Sequence, residues 1–297
     1  VSHRKRNRKS INTTICGSAD KAPIWGKARS KEDIVRFVSD VVFNDFHETY
    51  NDSQAKNEIY QWVEVISAEP PLLVIHGFLE HAYCDQIVDA TLGRSSISSP
   101  ATEGKHQLKR STMGAEQEES GHRTSSTAWL HEDICPLPLR TFATRTAALS
   151  CLPPRNMENL QVVRYEPGEE FRMHTDHLDS FNDFDCGGRL CTLLVYLNDA
   201  ELSVGVSKIS VGEGTAFTGG QTMFPEFRAT ITPKKGSALF FFNTLERPGS
   251  TNYNTNMFLN VDRKLRHAGA PVLSGEKWIA NRWIHPRNFG AGVRGLG

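Results

Sequence analysis

The sequence has no long apolar run, no net charge, few cysteines and no internal repeat, and each absence removes a class of protein. The longest uninterrupted hydrophobic stretches, such as Ala238 to Phe242 and Leu193 to Leu197, fall far short of the roughly 20 residues a membrane helix needs. No membrane span is expected in the chain. Lys+Arg 34 cancels Asp+Glu 34, so no overall basic field exists of the kind that holds a phosphate backbone, and nucleic acid is not an expected partner. Six cysteines (Cys16, Cys84, Cys135, Cys151, Cys186, Cys191) form no C-x-x-C pair, which argues against a zinc ribbon or a disulfide-dense scaffold. What is present suffices for a core: hydrophobic residues make up 38% before glycine is counted, a globular composition.

Residues 1 to 30 open with Arg4, Lys5, Arg6, Arg8 and Lys9 and show no apolar period, which reads as a basic, disordered arm. Residues 31–297 read as one domain, with a helical part over about 31–150 and a strand-rich core over about 155–287. Ile34, Val35, Phe37, Val38, Val41, Val42 and Phe46 recur at helical spacing, so one or two amphipathic helices are expected between Lys31 and Val65. Leu72 to Ile75 reads as a short buried strand, followed by a helix carrying Cys84, Ile87 and Val88. Residues 93–127, rich in Ser, Thr, Gly and Glu, read as a long surface loop of the kind that often serves as a lid. After a helix near Leu139 to Leu149 come short strands at Leu160 to Tyr165, Leu190 to Leu197, Ala229 to Thr232, Ala238 to Phe242 and Trp278 to Ile284. That succession predicts an antiparallel sandwich or jelly roll.

His174-Thr175-Asp176 places two metal-ligand types two residues apart, and on a strand their side chains leave the same face. His267, 91 residues past Asp176, completes the two-histidine-one-carboxylate set of non-haem Fe(II) oxygenases. His177 and Asp179 are alternative ligands by type, but the i, i+2 geometry favours the earlier pair. An H-x-D triplet alone is weak evidence in a chain with 11 histidines.

Ordered blocks around it strengthen the case. Pro71 to Leu79 with Cys84, Arg123-Thr124-Ser125-Ser126, Gln161 to Gly168, His174-Thr175-Asp176, Gly219 to Pro225, Gly236 to Phe242 and the run from Arg266 to His285 together resemble the prolyl 4-hydroxylase catalytic domain. The resemblance covers about residues 60–287. It implies a double-stranded β-helix (jelly roll) with flanking helices, in an Fe(II)- and 2-oxoglutarate-dependent dioxygenase that also uses ascorbate.

By the same resemblance His174, Asp176 and His267 are the iron ligands, and Lys277 binds the far carboxylate of 2-oxoglutarate. A dicarboxylate entering an apolar barrel must have its remote charge paired, because leaving it unpaired carries a large desolvation cost. Tyr165 and Thr222 fall where the family places hydroxyls near the cosubstrate. Arg189 and His285 match peptide-holding positions, Phe171 stands where a tyrosine is more usual, and Arg123 and Ser125 are candidates for lining the peptide groove. Two departures stand out: a longer Gly/Ser-rich connection between Asn198 and Gly219, and Arg266 before the distal histidine where leucine is commoner.

The implied reaction is hydroxylation of peptidyl proline in Pro-rich or collagen-like segments, giving hydroxyproline, with succinate and CO2 as co-products. An extended, polyproline-like segment is preformed and loses little entropy on docking. The competing readings are the same chemistry on another substrate, or a jelly-roll module that binds Pro-rich peptides without turnover. Hydroxylation of secreted chains implies the endoplasmic reticulum lumen or secretory pathway, whereas a bacterial or viral origin implies the cytoplasm.

Overall fold

A computed structural model describes residues 24–26, 29–43, 61–94, 108–113, 118–119, 121–132, 134–201, 216–250, 253 and 258–291. Sixteen strands are formed among them: β1 Trp62–Ala68, β2 Pro71–His76, β3 Lys109–Arg110, β4 Thr112–Met113, β5 Glu118–Glu119, β6 Ser126–Leu130, β7 Leu160–Tyr165, β8 Phe171–His174, β9 Cys191–Tyr196, β10 Thr218–Gly219, β11 Thr222–Phe224, β12 Ala229–Ile231, β13 Ala238–Phe242, β14 His267–Gly269, β15 Val272–Ser274 and β16 Lys277–Ile284. Three helices accompany them, Lys31–Val38, His81–Thr91 and Pro136–Ser150.

The strands form an eight-stranded sheet in the order β1-β2-β13-β9-β16-β7-β6-β3 and a four-stranded sheet in the order β12-β11-β14-β8, with two small ribbons, β10-β15 and β4-β5. All the strand pairs are antiparallel.

Central strands of the large sheet read as continuous apolar runs because both faces are covered, and the two-residue period of a strand sorts their side chains. Leu72, Val74, Leu194, Tyr196, Leu239, Phe241 and Ile279 point inward and share a core with Phe224 and Ile231 of the small sheet. Leu73, Ile75, Leu193, Val195, Phe240, Phe242 and Ala280 point outward and pack on Ile34, Val38, Ile87, Leu139 and Phe142 of the helices. The result is a double-stranded β-helix with helices laid against one outer face.

Three expectations need correction. The segment up to Val65 is not all helical: Lys31–Val38 is capped by the Ser30 hydroxyl, which accepts from the Asp33 amide at 3.1 Å, but Trp62–Ala68 is a strand paired with β2. The apolar residues at helical spacing end at Phe46, and pairing with the apolar strand β2 makes 62–68 a strand. Nor is the part before residue 150 mainly helical, since it supplies β1, β2, β3 and β6, half of the large sheet.

The third correction concerns the expected loop over 93–127, which holds strand segments and buried Ser111, Arg123 and Ser125. The stretch 121–125 is fixed to β8 by an Arg123–Phe171 bridge and by the Thr124 and Arg172 amides, which donate to Glu170 and His122. The expected basic arm lies outside the described residues up to residue 23. Residues 24–26 form a short turn that seats Trp25 in the outer core, its Nε1 donating to the Leu149 carbonyl at 2.7 Å. The long connection after Asn198 also lies largely outside the described residues.

Candidate active site

Pairing of β8 with β14 sets His174 directly opposite His267 on the small sheet. Each imidazole donates its Nδ1 proton to the carbonyl two residues earlier, His174 to Arg172 at 2.8 Å and His267 to Leu265 at 3.0 Å. Both Nε2 atoms are thereby left as free lone pairs, the arrangement that orients metal-binding histidines. Asp176 lies just past the end of β8 rather than on it, with Oδ1 3.4 Å from His174 Nε2 and 3.9 Å from His267 Nε2. The three ligand atoms lie within 4.8 Å of one another.

The electrostatics suit a cation. Burial opposes ionisation of Asp176, but the neighbouring His267 and His174 imidazoles and the hydrogen bond donated by the Thr192 hydroxyl outweigh it and hold the carboxyl well below its usual range. Burial, assisted by His174, pushes His267 down to about 4, so its ring is neutral and able to ligate. Two imidazoles and one carboxylate fit a divalent transition metal such as Fe(II) and would cover only part of an octahedral shell. His177 and Asp179, the alternative ligands, lie outside the cluster, His177 against Asn182 and Gly188.

Lys277 begins β16, opposite Tyr165, with its side chain inside the barrel. It is 3% exposed, donates to the Gly220 carbonyl at 2.6 Å, and sits 5.3 Å from the Tyr165 ring and 5.8 Å from the Tyr196 ring. No carboxylate pairs with it among the described residues, and burial alone pushes it down to about 7. An ammonium buried without an anion fits a cosubstrate that brings its own carboxylate. Gly220, at φ +67°, leaves room for it: a Cβ there would lie 3.0 Å from both the Lys277 stem and the Phe217 ring. Thr222 is buried beside this chamber and accepts from the Tyr196 hydroxyl at 2.7 Å. Tyr165 faces the other way with its hydroxyl, toward Arg123 and Ser125.

Arg123 joins the two halves of the site. Its guanidinium donates to Gln161 at 2.9 Å and Ser125 at 3.2 Å, and it lies 4.9 Å over Phe171. Phe171 in turn stacks on His174, ring centroids 3.5 Å apart.

Arg189 and His285 meet elsewhere, on Glu158. Arg189 grips both Glu158 oxygens, at 2.5 and 2.9 Å, and lies 3.5 Å over Trp283 and 5.1 Å over Phe181. His285 is 1% exposed and donates to Glu158 at 3.0 Å and to the Gly187 carbonyl at 2.7 Å, so it supports Arg189 through Glu158 rather than facing an incoming peptide. Burial works against charge on this pair, yet Arg189 and His285 hold Glu158 down to about 2. Cys186 and Glu158 raise His285 to about 9.

Sequence reasoning missed Glu158, Thr192, Tyr196 and Trp283. Three of them occupy inward positions of apolar strands, where only the two-residue phase hints at a polar role.

The 2OG-Fe(II) oxygenase superfamily model matches residues 160–285. This match places the fold and the His174-Asp176-His267 cluster in the class of Fe(II)- and 2-oxoglutarate-dependent dioxygenases. Probable prolyl 4-hydroxylase 6 of Arabidopsis thaliana is 30% identical over 247 residues, covering 76% of this chain and 72% of that protein. Prolyl 4-hydroxylase subunit alpha-1 of Homo sapiens is 30% identical over 227 residues, covering 74% of this chain but 35% of that protein. Among solved structures, the viral collagen prolyl hydroxylase of Paramecium Bursaria Chlorella virus-1, in a 2OG complex, is 27% identical, covers 72% of this chain and 94% of that one, and gives a TM-score of 0.48. The chain belongs to the prolyl 4-hydroxylase family.

Proposed function

We propose that this enzyme hydroxylates proline residues within extended, proline-rich peptides. The observation that carries the reading is the pairing, in one barrel, of a His174-Asp176-His267 cluster with a buried ammonium, Lys277, that has no carboxylate of its own among the described residues. When bound, Fe(II) and 2-oxoglutarate supply the oxidising chemistry, dioxygen being divided between succinate and the hydroxyl group of the product.

The chain's own residues do the positioning. His174, Asp176 and His267 would hold the metal. Lys277 anchors the remote end of the cosubstrate, and Tyr196 and Thr222 line the same chamber. Leu194, Phe224, Phe241 and Ile279 keep the surrounding barrel dry, which strengthens each of these electrostatic contacts.

Peptide recognition is assigned to the partly exposed Phe171, over which the buried Arg123 lies, and to Arg189 and Trp129, which flank the buried Trp283. Flat aromatic and guanidinium surfaces suit proline rings presented by a preformed polyproline helix. The names of the relatives support prolyl hydroxylation. The test is His174→Ala and Asp176→Ala in purified protein: succinate formation should fall to background while the circular dichroism spectrum is retained. Turnover at the parent rate in either variant would overturn the assignment.

A further inference from the structure

Strand β9 is apolar except at Thr192, whose side chain enters the barrel at 1% exposure. Valine would fill the same space and suit a strand at least as well, so the hydroxyl needs its own reason. That hydroxyl carries one proton and has two acceptors in reach, Asp176 Oδ2 at 2.6 Å and Asn243 Oδ1 at 3.2 Å. The carboxylate is nearer and charged, and a charge-assisted bond takes the proton.

Asn243 reinforces that choice, because its Nδ2 donates into the Thr192 hydroxyl at 2.9 Å as well as to the Arg189 carbonyl at 3.3 Å. Asn243 is itself held on both sides: its amide donates to Leu190 and its carbonyl accepts from Asp262, each at 2.8 Å.

From this geometry we infer that Thr192 is a positioning residue that fixes which oxygen of Asp176 meets the metal, with Asn243 setting the direction of the Thr192 proton. With Oδ2 engaged, Oδ1 alone faces His174 and His267. Asp176 is thereby restricted to one coordination position. A free carboxylate could rotate and chelate through both oxygens, removing a position the cosubstrate needs. The inference rests on the assignment of His174, Asp176 and His267 as metal ligands.

The experiment is titration of the full, metal-stripped chain with Co(II), followed by visible absorption, with the melting temperature of the metal-free protein measured alongside. Thr192→Val should weaken Co(II) binding about 10- to 100-fold, the usual effect of losing a partner behind a ligand. Thr192→Ser, which keeps the hydroxyl, should restore it. A lower melting temperature with unchanged Co(II) affinity in Thr192→Val would assign Thr192 a purely structural role and overturn the inference.

Should Thr192→Val fail to fold, Asn243→Asp carries the same test, since the new carboxylate draws the Thr192 proton away from Asp176. Weakened binding supports the inference and unchanged binding overturns it. His267→Ala separates the two levels: a parent protein that binds Co(II) no better than His267→Ala refutes the metal site itself, whereas a binding parent with an indifferent Thr192→Val refutes only the role of Thr192.

Discussion

Lys277 is buried where an ammonium has no counter-ion among the described residues, and this makes it sensitive both to pH and to the cosubstrate. Burial lowers its pKa from 10.5 to about 7. Between those values the unfolded chain holds a proton that the folded chain has released, so folding releases a proton and stability rises with pH. Below about pH 7 the folded protein carries the full penalty. The neighbouring rings do not blur the window, because burial raises the pKa of both Tyr165 and Tyr196 and keeps them neutral through it.

His285, raised to about 9, works in the opposite sense as pH goes from 7 to 9, so the Lys277 contribution is read from the ligand effect: as pH goes from 7 to 9.5, 2-oxoglutarate with Mn(II) should stabilise the protein most near pH 7 and progressively less above. Thermal melting across that range checks this, and a ligand-induced shift that grows with pH would contradict it. At the residue scale the sequence was legible where chemistry is tied to local spacing: His174 and Asp176 are two residues apart, and Lys277 sits in a recognisable block. Glu158 and Thr192 were not, because their partners Arg189 and Asp176 are 31 and 16 residues away and strand register alone brings them together.

Among the elements, the central strands were legible because each is short, apolar and bounded by turn residues. Their two-faced burial was implicit in F-F-F and L-L-V, where both phases of the period are hydrophobic. β1 was not, since its alternation is weak and its strand identity comes from pairing with β2. Trp25 was not either: it stands in a polar stretch with no periodicity, and its role depends on a pocket made by distant elements. Its ring meets Phe37, Phe240 and Phe242 at 5.5, 5.4 and 5.6 Å, and its Nε1 closes the carbonyl of Leu149 near the end of a helix.

Trp25→Ala should destabilise the protein by about 3–5 kcal/mol, the range for emptying a large aromatic site, without altering the Km for 2-oxoglutarate. Urea denaturation read by circular dichroism checks the first part and steady-state kinetics the second. A change under about 1 kcal/mol would show that residues 24–26 only rest on the sheet.

For the whole molecule, the fold explains why ligands so far apart in sequence form one site. The large sheet supplies Lys277, Tyr165, Tyr196 and Thr192, the small sheet supplies His174, His267 and Thr222, and the dry space between them receives the chemistry. The stretch 121–125, stapled to β8, closes one side and brings Arg123 over Phe171. Phe171, stacked on His174 with ring centroids 3.5 Å apart, makes that wall apolar.

The central claim is that these parts together hydroxylate peptidyl proline. The direct measurement is mass spectrometry of proline-rich and collagen-like peptides after incubation with the iron-loaded enzyme, 2-oxoglutarate and ascorbate, with succinate followed in parallel. The account predicts a gain of one oxygen on proline, matched by an equal yield of succinate. Succinate without oxidised peptide, or neither product from iron-loaded protein, would contradict it.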